Sequence, residues 1–364
     1  MPKGDRRLKR IARLAEHQLS IQYEEPQDVG AMGYCPRVMC QVCLPVDRTP
    51  GAEYKRVSGP HHLSILTPEA IGIPYGVYPR GVLHWLATEV RNTFKSDDGT
   101  RTVYLGRNLM DFMSKVSGGR AISGGREGNI RRFKRQLSSL LASRIFYWSE
   151  SKTDMAFAGI EIASQGHLFW NPKLQDQPGL LQSSIQLGQV FWDDCVKHSV
   201  PVDMRALQCL WGSCLKMDIY TWLTFRANGL LEHKQNKLLI RWEQLQSQFG
   251  PQYRDPYKFR QNFRAGLAGV RKVYDGFSGA DWEGKGIEFR FTRSSVLPKA
   301  VAIPAAVAPA SSLPTRVFEI DPTAREVRPG IYQCGTMNGE SGGYFVDSQG
   351  GYRGMPGLEP PRRR

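Results

Sequence analysis

One recurrence constrains the fold of this chain more than any other feature. Phe133, Leu137 and Leu141 stand 126 residues before Phe259, Phe263 and Leu267, in the same i, i+4, i+8 frame. That spacing places each triplet on one face of a helix. The flanking segments also come in one order. In the first copy, 78–93 has helical spacing, with Val82, Trp85, Leu86 and Val90 inward. A short apolar strand at 103–105 follows, then a helix at 108–116 and a glycine-rich breaker, SGGRAISGGREG. Next come a basic helix at 129–142, a strand at 145–148, a polar turn and a strand at 155–162. The second copy runs from a helix at 217–226 through a strand at 238–240 to a helix at 242–249. Gly250-Pro251 breaks it, and Asp255-Pro256 opens the basic helix 257–274. A glycine-rich turn, 276–286, leads to the alternating strand of Ile287, Phe289 and Phe291.

Helix, strand, helix, breaker, basic helix and hairpin is the order of a winged helix, a variant of the helix-turn-helix. In that motif the third helix enters the major groove and the hairpin touches the backbone. The expected fold class is therefore α+β: two winged-helix domains in tandem with a disordered C-terminal tail. Residues 1–34 are expected as a basic amphipathic arm, with Leu8, Ile11, Leu14, Ala15 and Leu19 at helical spacing. Such an arm could lie on DNA, on a partner or on its own domain. The two domains are expected at 35–184 and 185–297. Residues 298–364 read as a tail, because 300–314 is an Ala/Pro linker and the chain beyond Pro329 is rich in glycine.

Charge indicates the class of partner. The 364 residues hold 49 Lys+Arg against 34 Asp+Glu, a net +15. The last 66 carry 8 Lys+Arg and 6 Asp+Glu, which leaves +13 in the first 298. A basic field on the folded part favours a shaped surface for a polyanion. Other classes fall away. No run of 18 apolar residues exists, so no membrane-spanning helix is expected. Residues 1–13 are basic without the apolar stretch of a secretory signal. Seven unevenly spread cysteines indicate reduced thiols and a cytoplasmic location.

On a helical wheel, Ile130, Phe133, Leu137, Leu140 and Leu141 occupy about a third of the first basic helix. Arg135 points away from them, Arg131, Arg132 and Ser139 flank it, and Lys134 lies at the border. Guanidinium groups so placed suit phosphate oxygens or the O6/N7 edge of guanine. Arg126 lies just ahead of this helix. In the second basic helix Phe259, Phe263, Leu267, Val270 and Tyr274 form the inner stripe. Lys258, Gln261, Ala265, Ala268 and Lys272 face outward, with Arg264 at the flank and Arg260 in the same helix. Gln261 is a candidate adenine reader, and the alanines allow close approach. The expected DNA-binding set is therefore Arg126, Arg131, Arg132, Lys134, Arg135, Ser139, Lys258, Arg260, Gln261, Arg264 and Lys272.

Three other patterns imitate chemistry. GADWEGKG (279–286) nearly spells a phosphate-binding loop, but its last position is Gly286 and it precedes a strand. It reads as a wing turn. Cys40-x-x-Cys43 with Cys35 nearby lacks a second pair, and 38–44 reads as an apolar strand, so the thiols are expected buried and free. His61-His62 lacks the alternate spacing of a nicking-enzyme metal pair. No catalytic residue, metal or cofactor is expected.

The segments PRVMCQVCLP (36–45), HHLSILTPEAIGIPYGVYPRGVLHWLATEV (61–90), YLGRNLMDFMSKV (104–116) and GNIRRFKRQLSSLLASRI (128–145) carry a resemblance. So do FWDDCVKHSVPVDMRAL (191–207), DIYTWLTFR (218–226) and FRQNFRAGLAGVRKVY (259–274). Together they resemble the plasmid-encoded RepA proteins, replication initiators of bacterial plasmids, over roughly residues 36–295. The resemblance implies a theta-type initiator with two winged-helix domains. It implies binding to repeated origin sites (iterons), help in opening an AT-rich segment, and recruitment of the host initiator and replicative helicase. It also implies repression of the chain's own promoter as a dimer and initiation as a monomer, and places the readers at 129–142 and 257–274. A transcriptional repressor with two DNA-binding modules is the competing reading, and a DNA-processing enzyme a third. Tandem sites near AT-rich DNA, a single promoter palindrome, or Mg²⁺-dependent nicking would separate them.

Overall fold

The basic N-terminal stretch folds as α1 (Lys3–Tyr23) and lies on its own unit, against α7 (Met204–Leu210). Arg205 anchors its end: its guanidinium donates to Ser20 Oγ at 2.6 Å and to the Glu24 carbonyl at 2.9 Å. Arg205 is itself buried and paired with Asp203 at 2.8 Å. Of the three placements open to the arm, packing on its own unit is the one observed.

The computed structural model describes residues 3–41, 43–58, 61–96, 99–106, 109–118, 128–150, 154–168 and 183–297. It also describes four short strands beyond residue 324. The chain divides into two units, Met1–Leu297 and Pro298–Arg364.

In chain order the first unit continues with β1 (Met32–Cys35), α2 (Arg37–Gln41), β2 (Glu53–Ser58), β3 (His61–Leu66) and α3 (Val77–Thr93). Next come β4 (Thr102–Gly106), α4 (Leu109–Ser117), α5 (Asn129–Leu141), β5 (Arg144–Glu150) and β6 (Met155–Glu161). β7 (Ala163–His167), β8 (Ser183–Leu187), α6 (Gln189–His198) and β9 (Val200–Asp203) lead to α7. The remainder is α8 (Cys214–Glu232), β10 (Lys237–Arg241), α9 (Trp242–Phe249), α10 (Pro256–Val270), β11 (Phe277–Trp282) and β12 (Gly286–Phe291). Helices and antiparallel sheets together make the fold α+β.

Four expectations are corrected. The apolar run from Val38 begins as helix α2, not as a strand. Pro36 opens a turn closed by Met39 N–H donating to its carbonyl at 3.0 Å, and a short apolar run does not distinguish buried strand from buried helix. The second basic helix ends at Val270, four residues early, and Tyr274 packs from the following turn, its hydroxyl donating to the Arg293 carbonyl at 2.7 Å. The turn expected at 276–286 is mostly strand β11, which pairs with β12 from Phe277↔Phe291 to Trp282↔Gly286. Its Gly, Ala and Asp residues have little strand preference alone, and pairing supplies it. The tail is also not wholly without structure. Described residues there form an antiparallel meander of β13 (Arg325–Arg328), β14 (Ile331–Cys334), β15 (Tyr344–Asp347) and β16 (Tyr352–Arg353). Val, Ile, Tyr and Phe supply the strand preference. The linker 300–314 and the final arginines lie outside the described residues.

The two runs of elements differ in pairing. In the later run the sheet order is β10-β12-β11, with Lys237↔Arg290 and Arg241↔Gly286 at its ends. In the earlier run β4 pairs with β8, and β8 with β7. The hairpin β5–β6 instead joins β2 and β3 in the order β2-β3-β5-β6. Strand β8 therefore crosses the division expected at 184/185.

Each run is built on one central buried helix. Val82, Leu83, Leu86, Ala87 and Val90 of α3 are buried, as are Met217, Ile219, Tyr220, Trp222 and Leu223 of α8. A buried, bidentate ion pair joins the two: Arg80 Nε and Nη2 reach the Asp218 carboxylate at 2.7 Å each. Arg80 also donates to the carbonyls of Leu44, Pro45 and Gly76 at 2.7, 3.1 and 2.8 Å. Arg56 makes a second tie. It caps the end of α9 by donating to the carbonyls of Ser247 and Gln248, and it reaches back to Cys43. Buried charges so satisfied fix register more than they add net stability.

Candidate nucleic-acid interface

Helix α10 is aimed by its neighbours. Asp255 caps it, its carboxylate accepting from Tyr257 N–H at 2.8 Å, and Pro256 starts the first turn. Phe259, Phe263, Leu267 and Val270 are buried beneath it. The turn into α10 needs Gly250, because a Cβ there would stand 2.3 Å from the Phe259 ring. Trp242, buried at the start of α9, meets Phe259 and Phe263 edge-on. Its indole also carries Arg260 and Arg264, whose Cζ atoms lie 5.6 and 5.1 Å from the ring centroid.

The opposite face of α10 is open. Tyr257, Lys258, Gln261, Arg264, Ala265 and Ala268 are exposed. Lys258 Nζ donates to Gln261 Oε1 at 3.3 Å, and Arg264 pairs with Asp281 of β11 at 2.7 Å. That exposed bond holds helix and hairpin together weakly. Lys272 stands past the helix end and is exposed. It lines a hollow of about 310 Å³ with Lys216, Ser213 and Gln18.

The surroundings of α5 differ. Arg131, Arg132 and Arg135 are exposed and Lys134 half-buried. Residues 67–76 lie along one flank. Gln136 Oε1 accepts from Tyr75 N–H at 2.7 Å, and Arg135 donates to the Tyr75 hydroxyl at 2.7 Å while standing over its ring. Ser139, expected on the outer face, is 1% exposed and donates to the Ile71 carbonyl at 3.3 Å. Its expected place on a DNA-contacting face is corrected: the loop takes that side of the helix. A cleft of about 400 Å³ remains between loop and helix, lined by Arg48, Glu69, Tyr75 and Arg135. Arg126 lies outside the described residues.

The structure thus brings Lys258, Arg260, Gln261 and Arg264 together on or beside one helix. A second helix carries Arg131, Arg132, Lys134 and Arg135. Sequence reasoning missed Tyr257, Lys216 and the covering loop. The exposed position of Tyr257 was legible as an aromatic on the outer stripe of the wheel; the loop had no local signal.

The decoys resolve structurally. GADWEGKG spans the β11–β12 hairpin, whose turn places Glu283 and Gly284 at φ +49° and +68°. Cys35, Cys40 and Cys43 are buried and free, and burial raises the thiol pKa of Cys35 and Cys43. Among the described residues no cluster of three or more His, Cys, Asp or Glu has metal-binding placement. Among them, too, no helix is long and apolar enough to cross a membrane.

An open helix face carrying cations and no acidic residue suits a polyanion. Residues 73–244 match the family described as plasmid encoded RepA protein. Two solved structures are similar in part. A crystal structure of selenomethionine derivatives of domains 2 and 3 of RctB is 10% identical with a TM-score of 0.44. That likeness covers 71% of this chain and 98% of the other. A crystal structure of RctB domains 2–3, residues 155–483, is 11% identical with a TM-score of 0.40, covering 69% and 94%. No curated protein matches.

Proposed function

We propose that this chain initiates plasmid replication by binding repeated sites in double-stranded origin DNA. The observation that carries the reading is the open face of α10, set by α9, Gly250 and the Asp255 cap, in a chain whose residues 73–244 match the RepA family. The two runs of elements act as winged-helix modules, with α10 and α5 as the groove-facing helices. Two such helices in one chain engage successive major grooves, about one helical turn of 10 base pairs apart. Linkage raises the effective concentration of the second contact. Binding energy and bending, rather than nucleotide hydrolysis, then help to open an adjacent AT-rich segment. The chain acts in the cytoplasm, without cofactor, metal or catalytic residue. It recruits the host initiator and replicative helicase and self-associates as a dimer.

Footprinting the full chain on DNA flanking its own gene tests this. Protection of tandem repeats in phase with the helix is expected. A single protected palindrome at a promoter would make the chain a repressor instead, and Mg²⁺-dependent strand cleavage would make it an enzyme.

A further inference from the structure

We propose that Tyr257 reads sequence by laying its ring against the 5-methyl group of a thymine, beside an adenine taken by Gln261. The inference rests on α10 being a groove-reading helix. Tyr257 is the second residue of α10, and its N–H is bound by the Asp255 carboxylate at 2.8 Å. Cap and Pro256 together fix the direction in which its side chain leaves the helix. In helix-turn-helix proteins the N-terminal residues of the recognition helix contact base edges.

Tyr257 is 75% exposed, although aromatic side chains of this size normally bury most of their surface. Four, eight and eleven residues on, Gln261, Ala265 and Ala268 share its helix face and are exposed too. Helix α10 contains no acidic residue, and its cations on the open side, Lys258 and Arg264, flank this stripe. A ring, an amide and two methyl groups do not hold phosphate. They match base edges, where the thymine methyl is the apolar group of the major groove and adenine presents N6 and N7 to an amide. Lys258 Nζ donates to Gln261 Oε1 at 3.3 Å, so the cation and the amide already touch on this face.

The test begins with a duplex selected by the full chain from a random-sequence library. Each thymine is then replaced by uracil, which removes only the methyl group. One replacement should weaken wild-type binding about fourfold, the worth of one buried methyl. Tyr257→Ala should lose a similar factor and become indifferent to that uracil, while Tyr257→Phe should keep the wild-type response. Unchanged thermal melting of both variants confirms folding. The inference is overturned if no uracil weakens wild-type binding, if Tyr257→Ala still responds, or if Tyr257→Phe loses the response. Lys258→Ala with Arg264→Ala separates the layers. If that pair loses affinity while Tyr257→Ala does not, only the thymine contact fails. If neither loses affinity, or no sequence is selected, α10 is not the reader and both readings fail.

Discussion

Helices α5 and α10 hold equivalent places in two runs of elements, and Phe133, Leu137 and Leu141 share one apolar frame with Phe259, Phe263 and Leu267. Their outer faces do not match. α10 stands open, with its cations leaning on Trp242 and on the hairpin. α5 carries a loop along one side, pinned at Ile71 and Tyr75, and what remains exposed is mainly arginine. A common periodicity thus builds two helices with different exposed faces. The charged face of α5 suits backbone phosphates, whereas the amide and small residues of α10 suit base edges.

The comparison can be broken first at the tie between the runs. Asp218→Ala leaves Arg80 buried without its carboxylate, and stability should fall by about 3–5 kcal/mol. Urea unfolding followed by fluorescence measures it, and an unchanged midpoint would mean that α3 and α8 do not depend on the pair. Arg80→Ala combined with Asp218→Ala should cost less than the two single losses added together.

A smaller effect separates the helices. Arg131→Ala with Arg135→Ala should weaken site binding at least about tenfold and flatten the salt dependence by about two ions, with sequence preference kept. Gln261→Ala should instead relax the choice at one base pair by about 1–3 kcal/mol. Gel-shift titrations against single-base variants at several salt concentrations read both. Equal behaviour of the two helices would erase the distinction.

The pH response should also be local. His84 of α3 is buried, which lowers its pKa from 6.5 to about 4. Its Nδ1 lies 2.6 Å from the Arg80 carbonyl. The unfolded chain binds the proton more readily than the folded one, so stability should be complete above pH 6.5 and decline as pH falls toward 4. His84→Gln should remove that part of the slope in unfolding titrations. The later run buries no histidine among its described residues. The smallest effect is expected from deleting residues 298–364, which should leave site affinity within about twofold. Complete loss by a truncation that still melts cooperatively would assign the tail a part in binding.

Much of this was legible in the residues. The helices α3, α5, α8, α9 and α10 follow from apolar spacing, and Asp255-Pro256 and Gly250-Pro251 mark ends that the structure keeps. The β11–β12 hairpin was placed, although its first strand read as turn. What was not legible depends on distant partners. Strand β8 is short and half polar, and it finds β4 across about 80 residues of chain. Ser139 reads as outward on a wheel because a wheel knows nothing of Ile71, 68 residues away. Arg80 and Asp218 lie 138 residues apart in sequence and meet only once both central helices are packed.

The sequence by itself determined the helical faces, the alternation of the strands, the turns and the sign of the charge. These depend on neighbours within a few positions along the chain, and local sterics and solvation decide them. Tertiary structure alone decided which basic face stays open, which serine is buried and which charges are joined. Those outcomes depend on desolvation and hydrogen bonding between segments that approach only when the core closes.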